Sequence, residues 1–183
     1  LVAAASIAAS VLVLGGPGLA GAETTATGAP GAVVHIEEVK GTLKFVAPES
    51  VREGEELEVV NDTNPRKVGP HTFSLVTKGS IPKTPKARQL CFTPNHICKA
   101  IANWHGVKGE GPPSKNPATA GLEGWSTMGS LHKKGDSWFT GTKPSASFAQ
   151  KVTVDASAGP TTLYFMCAIH PWMHGKITIL PGG

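Results

Sequence analysis

Near the C-terminus, the run Cys167-Ala168-Ile169-His170-Pro171-Trp172-Met173 places a thiol, an imidazole and a thioether within seven residues. Soft sulfur donors favour Cu(I) and imidazole suits copper in both oxidation states, so two His, one Cys and a weak axial Met describe a one-electron copper site. The second imidazole has a candidate in His71, where the turn residues Gly69-Pro70 run into the apolar, β-prone stretch Thr72-Phe73-Ser74-Leu75-Val76. On this reading Cys167 supplies a covalent thiolate, His71 and His170 the imidazoles, and Met173 the axial thioether. Three strong donors near a plane with one weak axial donor suit Cu(II) and Cu(I) alike, so little reorganisation accompanies electron transfer.

Each residue also has a plainer role. A Cys ending a strand can be a small core residue, His71 a polar strand-edge residue and Met173 core filler. His174 is a competing donor, but Met173 has the spacing the site needs. Met166 precedes Cys167 on a strand, so its side chain points to the opposite face.

The elements that must hold these donors are short strands. The pattern predicts strands over Val33–Val39, Thr42–Ala47, Glu56–Asn61, His71–Val76, Ser147–Val154, Leu163–Met166 and Lys176–Leu180. Pro48 to Gly54 reads as a polar connection. No long segment has helical periodicity, and 22 Gly with 15 Pro interrupt the chain at close intervals. The expectation is an all-β sandwich or Greek-key barrel. Between residues 78 and 141 the strand pattern disappears, which marks a long, partly irregular insertion. Its Trp104, Trp125 and Trp138 argue for order, since disordered segments are poor in aromatics.

Residues 1–22 carry no charge and end in Ala20-Gly21-Ala22, the pattern of a secretory signal, with the Gly15-Gly16-Pro17-Gly18 break interrupting any membrane-spanning helix. Residues 23–31 read as a flexible leader, and 32–183 as one folded domain. An exported chain without stable membrane insertion after cleavage follows, secreted, periplasmic or held at the outer face of the cell membrane. The net charge of +4 is compatible with an acidic redox partner, and is too small and too scattered to indicate nucleic acid.

Three cysteines leave one over. An oxidising compartment favours a local Cys91–Cys98 disulfide, which leaves Cys167 free as a ligand. A second reading takes Cys91, His96, Cys98 and His105 as a zinc site, although the Cys91–Cys98 spacing departs from the close pair usual for zinc. His35 and His132 have no evident companions and read as solvated surface residues.

The stretch Tyr164-Phe165-Met166-Cys167-Ala168-Ile169-His170-Pro171-Trp172-Met173-His174-Gly175-Lys176-Ile177 resembles the copper loop of the cupredoxins, the type 1 blue copper proteins of the plastocyanin and azurin family, in its short amicyanin-like form. Val59-Val60-Asn61 leading to Gly69-Pro70-His71 resembles the segment carrying that family's first histidine. The resemblance covers about 33–76 and 147–180, not the insertion. It implies a cupredoxin-like Greek-key β-sandwich, one type 1 copper ion and the ligands His71, Cys167, His170 and Met173. It also implies an apolar electron-exchange patch at His170, framed by Pro171 and Trp172. Where many relatives have Asn after the first histidine this chain has Thr72, so the hydrogen bonding of the thiolate differs.

The expected function is an exported, monomeric one-electron carrier between redox proteins. The alternative is a copper-binding or delivery protein using the same ligands. An enzyme is not expected: no histidines flank Cys167 as in multicopper oxidases, no second copper domain is present, and the loop lacks the second cysteine of a two-copper site.

Overall fold

The structure is a computed structural model and describes residues 31–109, 111–113, 118–121 and 123–183. The signal at 1–22 and nearly all of the 23–31 leader lie outside the described residues. No helix among the described residues is long and apolar enough to cross a membrane.

Two mixed sheets pack face to face. The first is built from β1 (Ala32–Val39), β2 (Thr42–Val46), β4 (Glu56–Asn61) and β8 (Ser147–Lys151), in the order β2-β1-β4-β8. The second contains β3 (Ser50–Arg52), β5 (Thr72–Leu75), β6 (Thr119–Ala120), β7 (Ser137–Phe139), β9 (Thr161–Met166) and β10 (His174–Leu180), in the order β3-β10-β9-β5-β7-β6. The pairs β1/β4 and β3/β10 are parallel and the rest antiparallel. Because the chain repeatedly crosses from one sheet to the other, this is the mainly β, two-sheet sandwich expected, with segments from distant parts of the sequence brought side by side.

Alternation along the strands builds the core. Val34 and Ile36, Leu57 and Val59, Leu163 and Phe165, and Ile177 and Ile179 are all buried in the layer between the sheets. Phe73 is seated among Phe45, Phe165 and Trp125, with ring centres 4.7 to 5.9 Å away. Each fully buried side chain of this size contributes about 1.5–3 kcal/mol.

The seven predicted strands all form, with ends shifted by a few residues. Two corrections concern the connections. The polar Pro48–Gly54 segment contains β3, where Val51 alone is buried and the flanking Ser50 and Arg52 are exposed, a pattern too short to register. The 78–141 segment is not simply a loop. It supplies β7, hydrogen-bonded to β5, and the helices α2 (Pro85–Gln89) and α3 (Ile97–Trp104).

The physical reason lies in the outer face of the second sheet. Val76, Met166 and Ala168 present apolar surface there, and α3 covers it with Ile97, Ile101 and Trp104 to make a second buried cluster. Cys91–Cys98 ties α3 to the preceding turn. All three insertion tryptophans are buried, and Trp125 donates its indole N–H to the Leu57 carbonyl at 3.0 Å. Gly129 has no room for a side chain, because a Cβ there would strike the Trp104 ring.

Candidate metal centre

Two structural segments meet at one end of the sandwich. One is the approach to β5. The short helix α1 (Pro65–Val68) is capped by the Asn64 side chain and closed by Gly69 at φ 79°, a left-handed value that favours glycine, so that Pro70 can deliver His71 to the start of the strand. There the His71 N–H donates to Thr140 Oγ1 and its carbonyl accepts from the Thr140 N–H, both at 3.0 Å.

The other segment is the β9–β10 connection. Its loop is cinched by the Cys167 N–H donating to the Met173 carbonyl (2.9 Å) and the Met173 N–H donating to the His170 carbonyl (2.8 Å). Cys167, at the end of β9, turns inward to the main core, while Met166 and Ala168 on either side point outward into the second cluster.

The result is a triangle of donors. Cys167 Sγ lies 3.9 Å from His71 Nδ1 and 3.8 Å from His170 Nδ1, and the two nitrogens are 3.1 Å apart. A point in the plane of these atoms is about 2.1 Å from each, the distance at which first-row metals hold imidazole nitrogen. The donor set therefore has the size to hold a first-row metal ion, and a soft thiolate with two imidazoles is chemistry that would suit copper. Met173 is buried in the same cluster as Cys167.

Outer partners prepare the donors. Thr63 Oγ1 donates to Asn61 Oδ1 at 2.7 Å, so its lone pair is left for His71 Nε2–H at 3.2 Å. That fixes the His71 tautomer with Nδ1 unprotonated and aimed at the sulfur. Burial, then the neighbouring His170, lowers the pKa of His71 to about 4. Burial also lowers that of His170, against the pull of a Val68 backbone hydrogen bond. Both imidazoles are thus neutral at neutral pH.

Burial raises the Cys167 pKa, while N–H groups of Thr72 (3.3 Å) and His170 (3.4 Å) point at the sulfur and favour the thiolate. Without a cation the thiol keeps its proton; binding a metal displaces it.

Thr72 occupies the place where the resemblance led one to expect Asn, and the structure gives it a specific task. Its Oγ1 accepts from the Ala168 N–H (2.8 Å) and from Ser74 Oγ (3.0 Å), and its hydroxyl faces the sulfur. Since the Ser74 proton is committed to Thr72, Ser74 Oγ accepts from Ser137 Oγ at 2.7 Å, and Ser137 in turn accepts from His105 Nε2 at 2.9 Å. A buried, one-directional chain of hydrogen bonds thus runs from the insertion to the thiol. Neither Ser137 nor His105 was connected with Cys167 by sequence. A readable signal existed in Thr72-Phe73-Ser74-Leu75, whose polar residues alternate along a strand with no exposed face.

The remaining sequence-predicted residues sort as follows. Cys91 and Cys98 form a disulfide (S–S 1.98 Å) and Cys167 is the free cysteine, so the zinc reading is not supported. His105 joins the chain just described and His96 hydrogen-bonds Thr93. His132 is exposed, but His35 is not without a companion: its Nδ1 meets Asp62 Oδ2 at 2.6 Å beside Glu37, an exposed hydrogen-bonded contact of small energetic weight. In the proposed exchange patch Trp172 is 45% exposed and lies edge-on to the His170 ring (5.1 Å), His170 is half-buried, and Pro171 is buried rather than part of the surface.

Fold and donors together define a β-sandwich with a buried His-Cys-His cluster at one end. No protein-family model matches the chain. No curated protein matches it in sequence. Among solved structures, one of auracyanin B is similar, with 12% identity and a TM-score of 0.38 over 82% of this chain and 87% of that one.

Proposed function

We propose that the protein is an exported, monomeric type 1 copper protein that carries single electrons between redox partners, and that it is not itself an enzyme. The observation that carries this reading is the donor triangle of His71, Cys167 and His170, closed to a radius a copper ion fits and prepared by a fixed His71 tautomer. Copper, when bound, supplies the Cu(II)/Cu(I) couple. The chain's residues do the rest: His71, Cys167 and His170 would hold the ion, and Met173, buried in the same cluster, would supply a thioether donor. The hydrogen bonds to Sγ steady the thiolate, and the packed strands keep the geometry from relaxing between oxidation states. Export is supported by the signal-like residues 1–22 and by a disulfide of the kind oxidising compartments maintain.

The test is spectroscopic. Loaded with Cu(II) under non-reducing conditions, the wild type should show an intense thiolate-to-copper visible band and a compact copper electron-spin signal. Cys167→Ser should abolish the band and His71→Ala should change or abolish it. A colourless, redox-silent wild type refutes the proposal.

A further inference from the structure

The cations of this chain are segregated rather than scattered. Between Asp62 and Glu110 there are eight Lys or Arg and no Asp or Glu, whereas eight of the 13 acidic residues lie between Glu37 and Asp62. The sequence-level view of a diffuse +4 is corrected by this division, and the fold gives it a direction.

Part of the cationic segment lies against the metal loop. A shallow cleft of about 240 Å³ is lined by Ile81 and Tyr164 and by the exposed Lys78, Lys83 and Lys176, with His174 beside them and no acidic side chain. Lys78 Nζ is 5.8 Å from the centre of the Tyr164 ring, and Lys176 is the register partner of Tyr164 across β9 and β10. His174 directly follows Met173, and at strand rise Lys176 stands about 10 Å along β10 from that ligand position. Trp172, on the other side of Met173, is the most exposed large apolar residue of the loop. An apolar recess ringed by one sign of charge, adjoining an exposed aromatic, has the anatomy of a brief protein contact: an apolar centre inside a polar rim. An anionic membrane would engage the lysines but leave the recess unfilled, whereas a protruding side chain of a protein fills it.

We propose that the face running from Trp172 across this cleft to Lys78 and Lys83 is the docking surface for an acidic redox protein. The proposal rests on the electron-carrier reading. One electron passes from the reduced partner to Cu(II), or from Cu(I) to the oxidised partner, and the cationic face steers the encounter and sets its orientation.

The experiment uses the copper-loaded protein with two small redox probes, anionic hexacyanoferrate(II) and cationic hexaammineruthenium(II), in stopped flow. Lys83→Glu/Lys176→Glu should slow reduction by the anion by roughly tenfold or more at low ionic strength and speed reduction by the cation, both effects fading with added salt. Lys151→Glu, paired with Glu56 at the far end of β4, should alter neither rate by more than about twofold. A polyglutamate peptide should shift the amide resonances around Lys78, Lys83 and Lys176 in NMR spectra and compete with hexacyanoferrate(II). Retention of the copper band shows that the variant is folded; if charge reversal costs the band, Lys83→Gln/Lys176→Gln is measured instead and should slow the anion by roughly threefold.

Rates indifferent to the substitutions overturn the inference, as do polyglutamate shifts centred elsewhere. So does binding of phosphatidylglycerol/phosphatidylcholine vesicles through these lysines without any response to polyglutamate. A wild type with no copper band sinks the carrier reading but leaves the peptide map readable, whereas a normal band with charge-blind kinetics sinks the docking surface alone.

Discussion

Replacing Thr72 by Val tests whether the chain of hydroxyls behind the thiol is part of the site or merely buried polarity. The two side chains are close in shape, so the change opens little space and its cost is that of lost hydrogen bonds. Thr72 is wholly buried, and its Oγ1 is the acceptor for the Ala168 N–H at 2.8 Å and the Ser74 hydroxyl at 3.0 Å. Valine leaves both donors in a region without solvent, at about 1–3 kcal/mol each before relaxation. Ser74 Oγ already accepts from Ser137 and the Ala168 N–H is fixed by the loop, so the expected loss is about 2–4 kcal/mol. Against a typical domain stability of about 5–15 kcal/mol the variant still folds. Guanidinium unfolding of the metal-free, disulfide-intact protein, followed by tryptophan fluorescence, should show a lower midpoint with an unchanged slope. In the copper-loaded form all four proposed ligands would remain, so the visible band should persist. The reduction potential should fall, because a donor that favours the electron-rich thiolate of the Cu(I) state has been removed. Thr72→Ser should restore most of both properties. Stability of Thr72→Val within about 0.5 kcal/mol of wild type, or an unmoved potential, refutes the reasoning.

Three further outcomes follow from the same structure. Metal-free protein should lose stability on acidification: His71 has a folded pKa of about 4 against an ordinary 6.5, so the unfolded chain takes up the proton first. The contribution is complete above pH 6.5, declines as pH falls toward 4 and is gone below it, a loss of at most about 3 kcal/mol that His71→Ala should abolish in a denaturation series against pH. Reducing the Cys91–Cys98 disulfide, which closes a loop between residues seven apart, should cost about 2–3 kcal/mol in unfolding experiments, and thiol titration of the unreduced, unfolded, metal-free chain should count one free thiol. Trp172→Ala should slow electron exchange with a protein partner while leaving the copper spectrum intact, since the ring is exposed and touches His170 only at its edge; unchanged exchange kinetics remove Trp172 from the docking surface.

The strands and the donor cluster were legible because they depend on short-range pattern. Period-two burial along Val34 and Ile36 or Ile177 and Ile179 is written locally. The tight Cys167–Met173 loop likewise sets its donors by spacing. What sequence did not disclose depends on pairing across long separations. β7 is three residues long and is a strand only because β5 offers it an edge, 63 residues away at the Ser74–Ser137 hydrogen bond. Thr63, eight residues before His71, is readable as its tautomer-fixing partner only once α1 has folded the chain back. Burial of Pro171 likewise follows from how the loop packs, not from its own composition.

The insertion and the Cys167–Met173 loop then belong to one physical problem. A compact loop leaves its cysteine at the end of a strand whose outer face, at Met166 and Ala168, is apolar and whose neighbour β5 turns Thr72 and Ser74 the same way. Left to water, that face would hydrate the polar groups next to the sulfur and blur the direction of their hydrogen bonds. Covered by α3 and β7, Thr72 keeps one set of partners, since Ser137 and His105 arrive with the cover and leave Ser74 no other donor geometry. The same insertion places Lys78 and Lys83 beside His174 and Lys176, just past the loop. Dry packing on the inner side of the insertion and positive charge on its outer side are therefore complementary consequences of one segment: the first holds the surroundings of the sulfur fixed, and on the proposed reading the second gives a partner a preferred approach to it.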